Sequence, residues 1–129
     1  MDKEQLEQFA EQPEVLLDPG KYTLRIEEVR IERNAIRPLC IVVGGDSDGK
    51  KVCPETYDFS EGGDNRAAIR NLYGWGVNAE ELRESGGDLT SIGALLVGRI
   101  GRVELQQRKS ETAGTVNTHA PGAIEPVQL

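Results

Sequence analysis

Residues 21–27 alternate strictly: Tyr22, Leu24 and Ile26 are apolar, and Lys21, Thr23, Arg25 and Glu27 interleave with them. Side chains of a strand point to opposite faces with period two, so this segment reads as a strand with one face on a core and one in water. The next apolar residues, Val29 and Ile31, lie on the other parity. A strand that swaps its apolar face with no turn residue between must carry an extra residue, so the pattern predicts a long first strand bent by a β-bulge.

The elements that follow are short. Leu39 to Val43 is an apolar run, Gly44 to Gly49 is turn chemistry, and Lys50 to Cys53 resumes extended chain. A symmetric hairpin about Ser47 places Val43 opposite Lys50 and Cys40 opposite Cys53, two thiols on one face of the sheet. Tyr57 and Phe59 prolong the third strand, and Ser60 to Asn65 ends it. Ala68, Ile69, Leu72 and Tyr73 recur at helical spacing after a cap at Asp64 or Asn65, and Gly74 or Gly76 stops that helix. Asn78 with Glu81 marks a second capped start. Asp88 to Leu95 forms a further helical turn. Gly98 to Leu105 is a fourth strand with Gly101, Val103 and Leu105 inward, and Thr115 to His119 is a fifth.

The expected fold class is therefore mainly β: a five-stranded, OB-fold-like Greek-key barrel with a helical insert between strands 3 and 4. At 129 residues the chain makes one domain. Residues 1–14 form an acidic amino-terminal arm, either a short helix lying on the domain or a mobile segment. Residues 15–119 form the barrel, and 120–129, with Pro121, Gly122 and Pro126, a loose tail.

No run approaches the ~18 to 20 apolar residues of a membrane span. The start, Met1-Asp2-Lys3-Glu4-Gln5, lacks the apolar core of a secretory signal, so a cytoplasmic location is expected, with Cys40 and Cys53 as thiols. The net charge of -7 argues at first against a nucleic-acid partner, but the charge is segregated. Residues 1–19 hold one Lys against six carboxylates, and residues 55–98 hold three cations against eight. Residues 20–54 hold seven cations against five carboxylates, and residues 99–109 hold four against one. Both basic blocks fall on strands.

Other chemistry finds little apparatus. Gly44 to Lys51 matches a P-loop up to its last position, where Lys51 stands in place of the magnesium-binding Ser or Thr, and Pro54 blocks the helix a P-loop must open. Asp46 and Asp48 lack the remaining ligands of a calcium loop. Cys40, Cys53 and His119 offer at most three zinc ligands with no paired cysteine spacing, so no metal and no cofactor is expected. His119 is the single histidine and no nucleophile arrangement accompanies it, so no enzyme is expected. The paired carboxylates Glu27-Glu28 and Glu80-Glu81 face apart on any regular element. Of six aromatic residues, Tyr22, Tyr73 and Trp75 are assigned to the core, and Tyr57, on a strand near the basic turn, to base stacking.

Several segments in fixed order resemble a known family: Leu17-Asp18-Pro19-Gly20-Lys21-Tyr22-Thr23-Leu24-Arg25-Ile26, Asp48-Gly49-Lys50-Lys51-Val52, Ala68-Ile69-Arg70-Asn71-Leu72, Leu96-Val97-Gly98-Arg99-Ile100 and Gly114-Thr115-Val116-Asn117. Across most of residues 15–119 the chain resembles the small phage-encoded single-stranded-DNA-binding proteins of OB-fold type, many of them long catalogued as a domain of unknown function. The resemblance implies a protein that sheathes single strands during phage DNA replication or recombination with little sequence preference, in the host cytoplasm.

On this reading Arg33 and Arg37 after strand one contact phosphate, as do Lys50 and Lys51 at the hairpin and Arg99, Arg102, Arg108 and Lys109 on strand four and its loop. The anionic arm competes with phosphate for that surface. Replication or recombination proteins and a second copy of the chain are the further partners, and no membrane is. The rival reading is a non-enzymatic protein-interaction module, a phage structural or host-takeover protein, whose acidic surface occupies a basic partner.

Overall fold

Strand β1 (Gly20–Glu32) runs through the middle of the sheet, antiparallel to β2 (Ala35–Val42) on one side and to a later strand, β5 (Ile100–Ser110), on the other. The bulge expected from the parity change is present: Ile26 faces Cys40 but Glu28 faces Leu39, leaving Glu27 as the extra residue. Before it, Leu24 and Ile26 are fully buried. After it, Val29 and Ile31 lie against Gly93 of a helix, so close that a Cβ there would sit 3.0 Å from Val29 Cγ1 and 3.3 Å from Ile31 Cδ1. The bulge thus lets one strand serve the core with its first half and a helix with its second. These coordinates are a computed structural model that describes residues 2–60 and 62–127.

The turn from β1 to β2 is Arg33-Asn34, with Arg33 at φ 56, a left-handed conformation unusual for a residue with a side chain. The third strand expected from the sequence is two pieces. β3 (Lys51–Val52) pairs with Cys40 and Ile41, β4 (Tyr57–Asp58) pairs with Ala35 and Ile36, and residues 53–56 leave the sheet between them. Opposite that break lies Pro38, which has no N–H to give a ladder.

The β2–β3 register also differs from the expected one. Cys40 faces Val52, not Cys53, because Val42 bonds to both Lys50 and Gly49 and centres the turn half a residue earlier, on a loop with Gly44, Gly45 and Gly49 at positive φ. Cys40 consequently packs in the core, whereas Cys53 lines a groove outside it. The thiols do not share a face.

Helices α2 (Arg66–Gly74), α3 (Ala79–Glu84) and α4 (Leu89–Leu96) follow. The α3 start is the capping box read from Asn78 and Glu81, and α4 starts on the Asp88 carboxylate. In α2 the buried stripe is Ala68, Asn71 and Leu72 and continues to Trp75, which rotates Tyr73 outward: it is 47% exposed, contrary to its core assignment. β5 alternates as expected, with Gly101, Val103 and Leu105 buried and Arg102 and Glu104 exposed. Trp75 sits on Gly101, where a Cβ would come 2.9 Å from ring atom Cζ3. Beyond Leu105 the strand projects as a hairpin with β6 (Gly114–Thr118). The carboxy-terminal segment is not loose, because β7 (Ile124–Pro126) pairs with β5, Ile124 enters the core, and Gly122 N–H donates to Asn71 Oδ1 at 2.8 Å.

The fold is mainly β, an antiparallel seven-stranded sheet in the order β3-β2-β1-β5-β6, with β4 beside β2 and β7 beside β5. Seven strands replace the expected five through the break at 53–56 and the added β7. The two ends of that order are joined through the segment before β1. Val15 N–H donates to Lys51 O of β3 at 2.9 Å, while Asn117 of β6 takes the Leu17 N–H at 3.0 Å and gives its own amide to Val15 O at 2.9 Å. Leu17 fills the core beneath.

The acidic amino-terminal segment takes the helical alternative: α1 (Lys3–Glu11), capped reciprocally by Asp2 and Gln5, buries Phe9. Among the described residues no helix is long and apolar enough to cross a membrane.

Candidate nucleic-acid interface

The middle of β2, the 53–56 link and the β5–β6 hairpin enclose a groove of about 290 Å³. Arg37 of β2 and Arg108 of β5 line it from different strands, together with Glu14, Glu55, Thr115 and Asn117. The groove lies where the sheet stops pairing: the ladder gap opposite Pro38 opens one wall, and the hairpin beyond Leu105 raises the other. Val15, Leu16 and Val116 give it short apolar surface, and no aromatic ring lines it.

Both guanidinium groups hold carboxylates. Arg37 Nη2 donates to Glu14 Oε1, and Arg108 Nη2 lies 3.4 Å from Glu55 Oε1. The two carboxylates differ in their anchoring. Glu55 also accepts from the Thr56 N–H at 2.9 Å and from the Thr118 hydroxyl, whereas among the described residues the Glu14 carboxylate is held by Arg37 alone. Burial pulls the Arg37 guanidinium down, but its bond to Glu14 and the nearby negative charges outweigh that and raise it above its ordinary value. Cys53 at the groove wall is pushed up to about 12, chiefly by burial. Lys109, next along the hairpin, is exposed and has no ion-pair partner among the described residues.

Of the nine residues expected to meet nucleic acid, the groove thus gathers Arg37 and Arg108, while Lys109, the next residue on the strand, does not line it. Arg33 is exposed at the β1–β2 turn and Lys50 at the β2–β3 turn. Arg102 points outward from β5 into a separate cleft with Lys21 and the Gly44–Ser47 loop. Arg99 bonds to Leu95 O at 2.7 Å and pairs with Glu81 at 3.0 Å, in a cleft with Trp75 and Pro126.

Two of the nine are structural. Lys51 is 2% exposed; its ammonium donates to Phe9 O at 2.9 Å and lies 4.5 Å from the centre of the Phe9 ring. It caps the last turn of α1, where backbone carbonyls lack partners and a cation is favoured, so it fastens the amino-terminal helix instead of meeting phosphate. Tyr57 is 1% exposed and cannot stack on a base. It faces Ile36 across the sheet, and its hydroxyl accepts from Trp75 Nε1 at 2.8 Å and donates to His119 Nε2 at 2.8 Å. The His119 Nδ1–H then donates to Ala120 O at 2.9 Å, the assignment that gives every group a partner. Burial raises Tyr57 well above its ordinary value and lowers His119 below 6.5. Both stay neutral near pH 7.

Sequence reasoning missed Glu14, Glu55, Thr118 and Asn117. Each acts across a long separation, as when Glu14 meets Arg37 and Asn117 meets Leu17, and no local spacing marks such pairs. Among the described residues no three of His, Cys, Asp and Glu converge as metal ligands. Compared with protein-family models, with curated proteins and with solved structures, the chain has no match.

Proposed function

We propose that this protein is a non-enzymatic single-stranded-DNA-binding protein, built on an OB-type Greek-key barrel and largely indifferent to sequence, serving phage DNA replication or recombination. The observation that carries the reading is the convergence of Arg37 and Arg108 on one groove. The carboxylates that pair them, Glu14 and Glu55, the Cys53 thiol, and hydroxyl, amide and short aliphatic groups line the rest of that groove. Guanidinium groups on a polar wall hold backbone phosphate without reading bases, and Leu16, Val15 and Val116 offer bases an apolar surface. The strand order, the helices between β4 and β5, and a segment bonded to both end strands support the barrel.

Fluorescence anisotropy with a labelled oligothymidylate and with a duplex tests this. The single strand binds in preference, and the two phosphate contacts of Arg37 and Arg108 give a log-log salt slope of about -1.4, from about -0.7 per contact. Arg108→Gln with Lys109→Gln weakens binding and flattens the slope; Lys50→Glu, at a turn outside the groove, leaves it unchanged. Absence of oligonucleotide binding at low salt overturns the reading in favour of a protein partner for the acidic surface, which includes the exposed Glu4, Glu7 and Glu11 of α1.

A further inference from the structure

Glu14 occupies an unusual position. Its backbone belongs to the seam, forming a parallel bridge to Lys51 that is continued by the Val15 N–H bond to Lys51 O at 2.9 Å. Its side chain belongs to the groove, where its single hydrogen-bond partner among the described residues is Arg37. Arg37 in turn has no other acidic partner within salt-bridge distance among the described residues. A carboxylate and a phosphate both present oxygens to a guanidinium fork, and one fork satisfies one of them at a time.

We infer that Glu14 is an internal phosphate mimic: it holds Arg37 in the empty groove, and a strand must displace it before that guanidinium can take a backbone phosphate. The inference rests on the single-strand reading of the groove and specifies what sets its affinity. Glu55 is not equivalent. Thr56 and Thr118 hold it whether or not Arg108 is engaged, and its longer contact at 3.4 Å leaves Arg108 free to turn toward a ligand. The two guanidiniums are therefore unequal: Arg108 meets the strand first, and Arg37 engages only when Glu14 lets go. Displaced, Glu14 stays within reach of the incoming phosphate, because the seam fixes its backbone, and like-charge repulsion adds to the cost.

The test is a cycle of Glu14→Gln, Arg37→Gln and the double variant in the full chain, read by anisotropy with a labelled oligothymidylate. Truncating the amino terminus is a poorer tool, because it also removes Phe9, whose carbonyl and ring hold the Lys51 ammonium. Glu14 is exposed and its backbone bonds do not involve the side chain, so Glu14→Gln retains the seam; an unchanged melting temperature verifies this.

An exposed pair of this kind is worth up to about a fivefold change, so Glu14→Gln binds about threefold to fivefold more tightly at low salt, the gain shrinking as salt rises. Arg37→Gln weakens binding, and in that background Glu14→Gln gives a smaller gain, that of the relieved like-charge repulsion alone. Wild-type binding with an unchanged Glu14→Gln affinity overturns the inference and leaves the function standing, as does an equal gain with and without Arg37. Failure of both wild type and Glu14→Gln to bind any oligonucleotide overturns the function and the inference together.

Discussion

Replacing Tyr57 by Phe removes one oxygen and strands two partners. The hydroxyl sits between Trp75 Nε1 and His119 Nε2, each at 2.8 Å, and the three residues are 1%, 1% and 4% exposed. The phenyl ring keeps the packing of Tyr57 against Ile36, so the loss is almost wholly one of hydrogen bonding. An orphaned buried donor or acceptor costs about 1–3 kcal/mol, and two of them give about 2–6 kcal/mol. With about 2.1 cal/mol/K of unfolding entropy per residue, 129 residues carry roughly 270 cal/mol/K, so the melting temperature falls by about 7–22 °C.

Thermal melting followed by circular dichroism, with urea titration at 25 °C as a check, measures this. A second comparison isolates the mechanism: His119→Leu costs less in the Tyr57→Phe background than in the wild type, because Nε2 is already unpaired there, and the coupling exceeds about 0.5 kcal/mol. A Tyr57→Phe variant melting within about 2 °C of the wild type would refute the reasoning, since it would mean that water or a rearranged His119 satisfies both groups at no cost.

Two further outcomes follow from the same burial. His119 is held below its ordinary 6.5 by burial, opposed by its bond to Ala120 and by the Glu55 charge, so its contribution to stability is complete above about pH 6.5 and is lost as pH falls toward and through its folded value; urea midpoints at pH 7 and pH 5 show the loss, and it is absent in His119→Leu. Cys53, raised to about 12 from 9.0, has about a thousandfold less thiolate at pH 8 than an ordinary thiol, and Cys40 is raised well above 9.0 by burial. Iodoacetamide therefore modifies neither thiol in the native protein on the timescale on which both react in urea, and rapid native labelling of Cys53 would show that the groove wall opens.

What the sequence made legible was what neighbours in the chain decide. The bulge at Glu27 is written in a parity change, the α3 cap in the Asn78–Glu81 spacing, and the β5 alternation in Gly101, Val103 and Leu105. What it concealed was decided by partners far along the chain. Lys51 reads as a turn cation until Phe9 lies over it, and Tyr57 reads as an exposed strand aromatic until Trp75 and His119 close around its hydroxyl. The break in the third strand lies between these cases, since Pro38 and Pro54 were visible but the register that sets them near one another was not. The misplaced cysteine pair has the same origin, as one residue of turn length sends Cys53 to the other face.

The charge pattern carries the same lesson into function. With 22 carboxylates against 15 cations, an exposed arginine on a strand is more often captured by a carboxylate than left for a ligand. Arg37, Arg99 and Arg108 are each captured, by Glu14, Glu81 and Glu55. Counting basic residues along such a chain therefore marks where a polyanion could bind without marking which cations it meets. Capture that is doubly anchored, as at Arg99 with Leu95 O and Glu81, fixes a cation in the architecture; capture by a single carboxylate on an otherwise independent seam, as at Arg37, leaves it exchangeable.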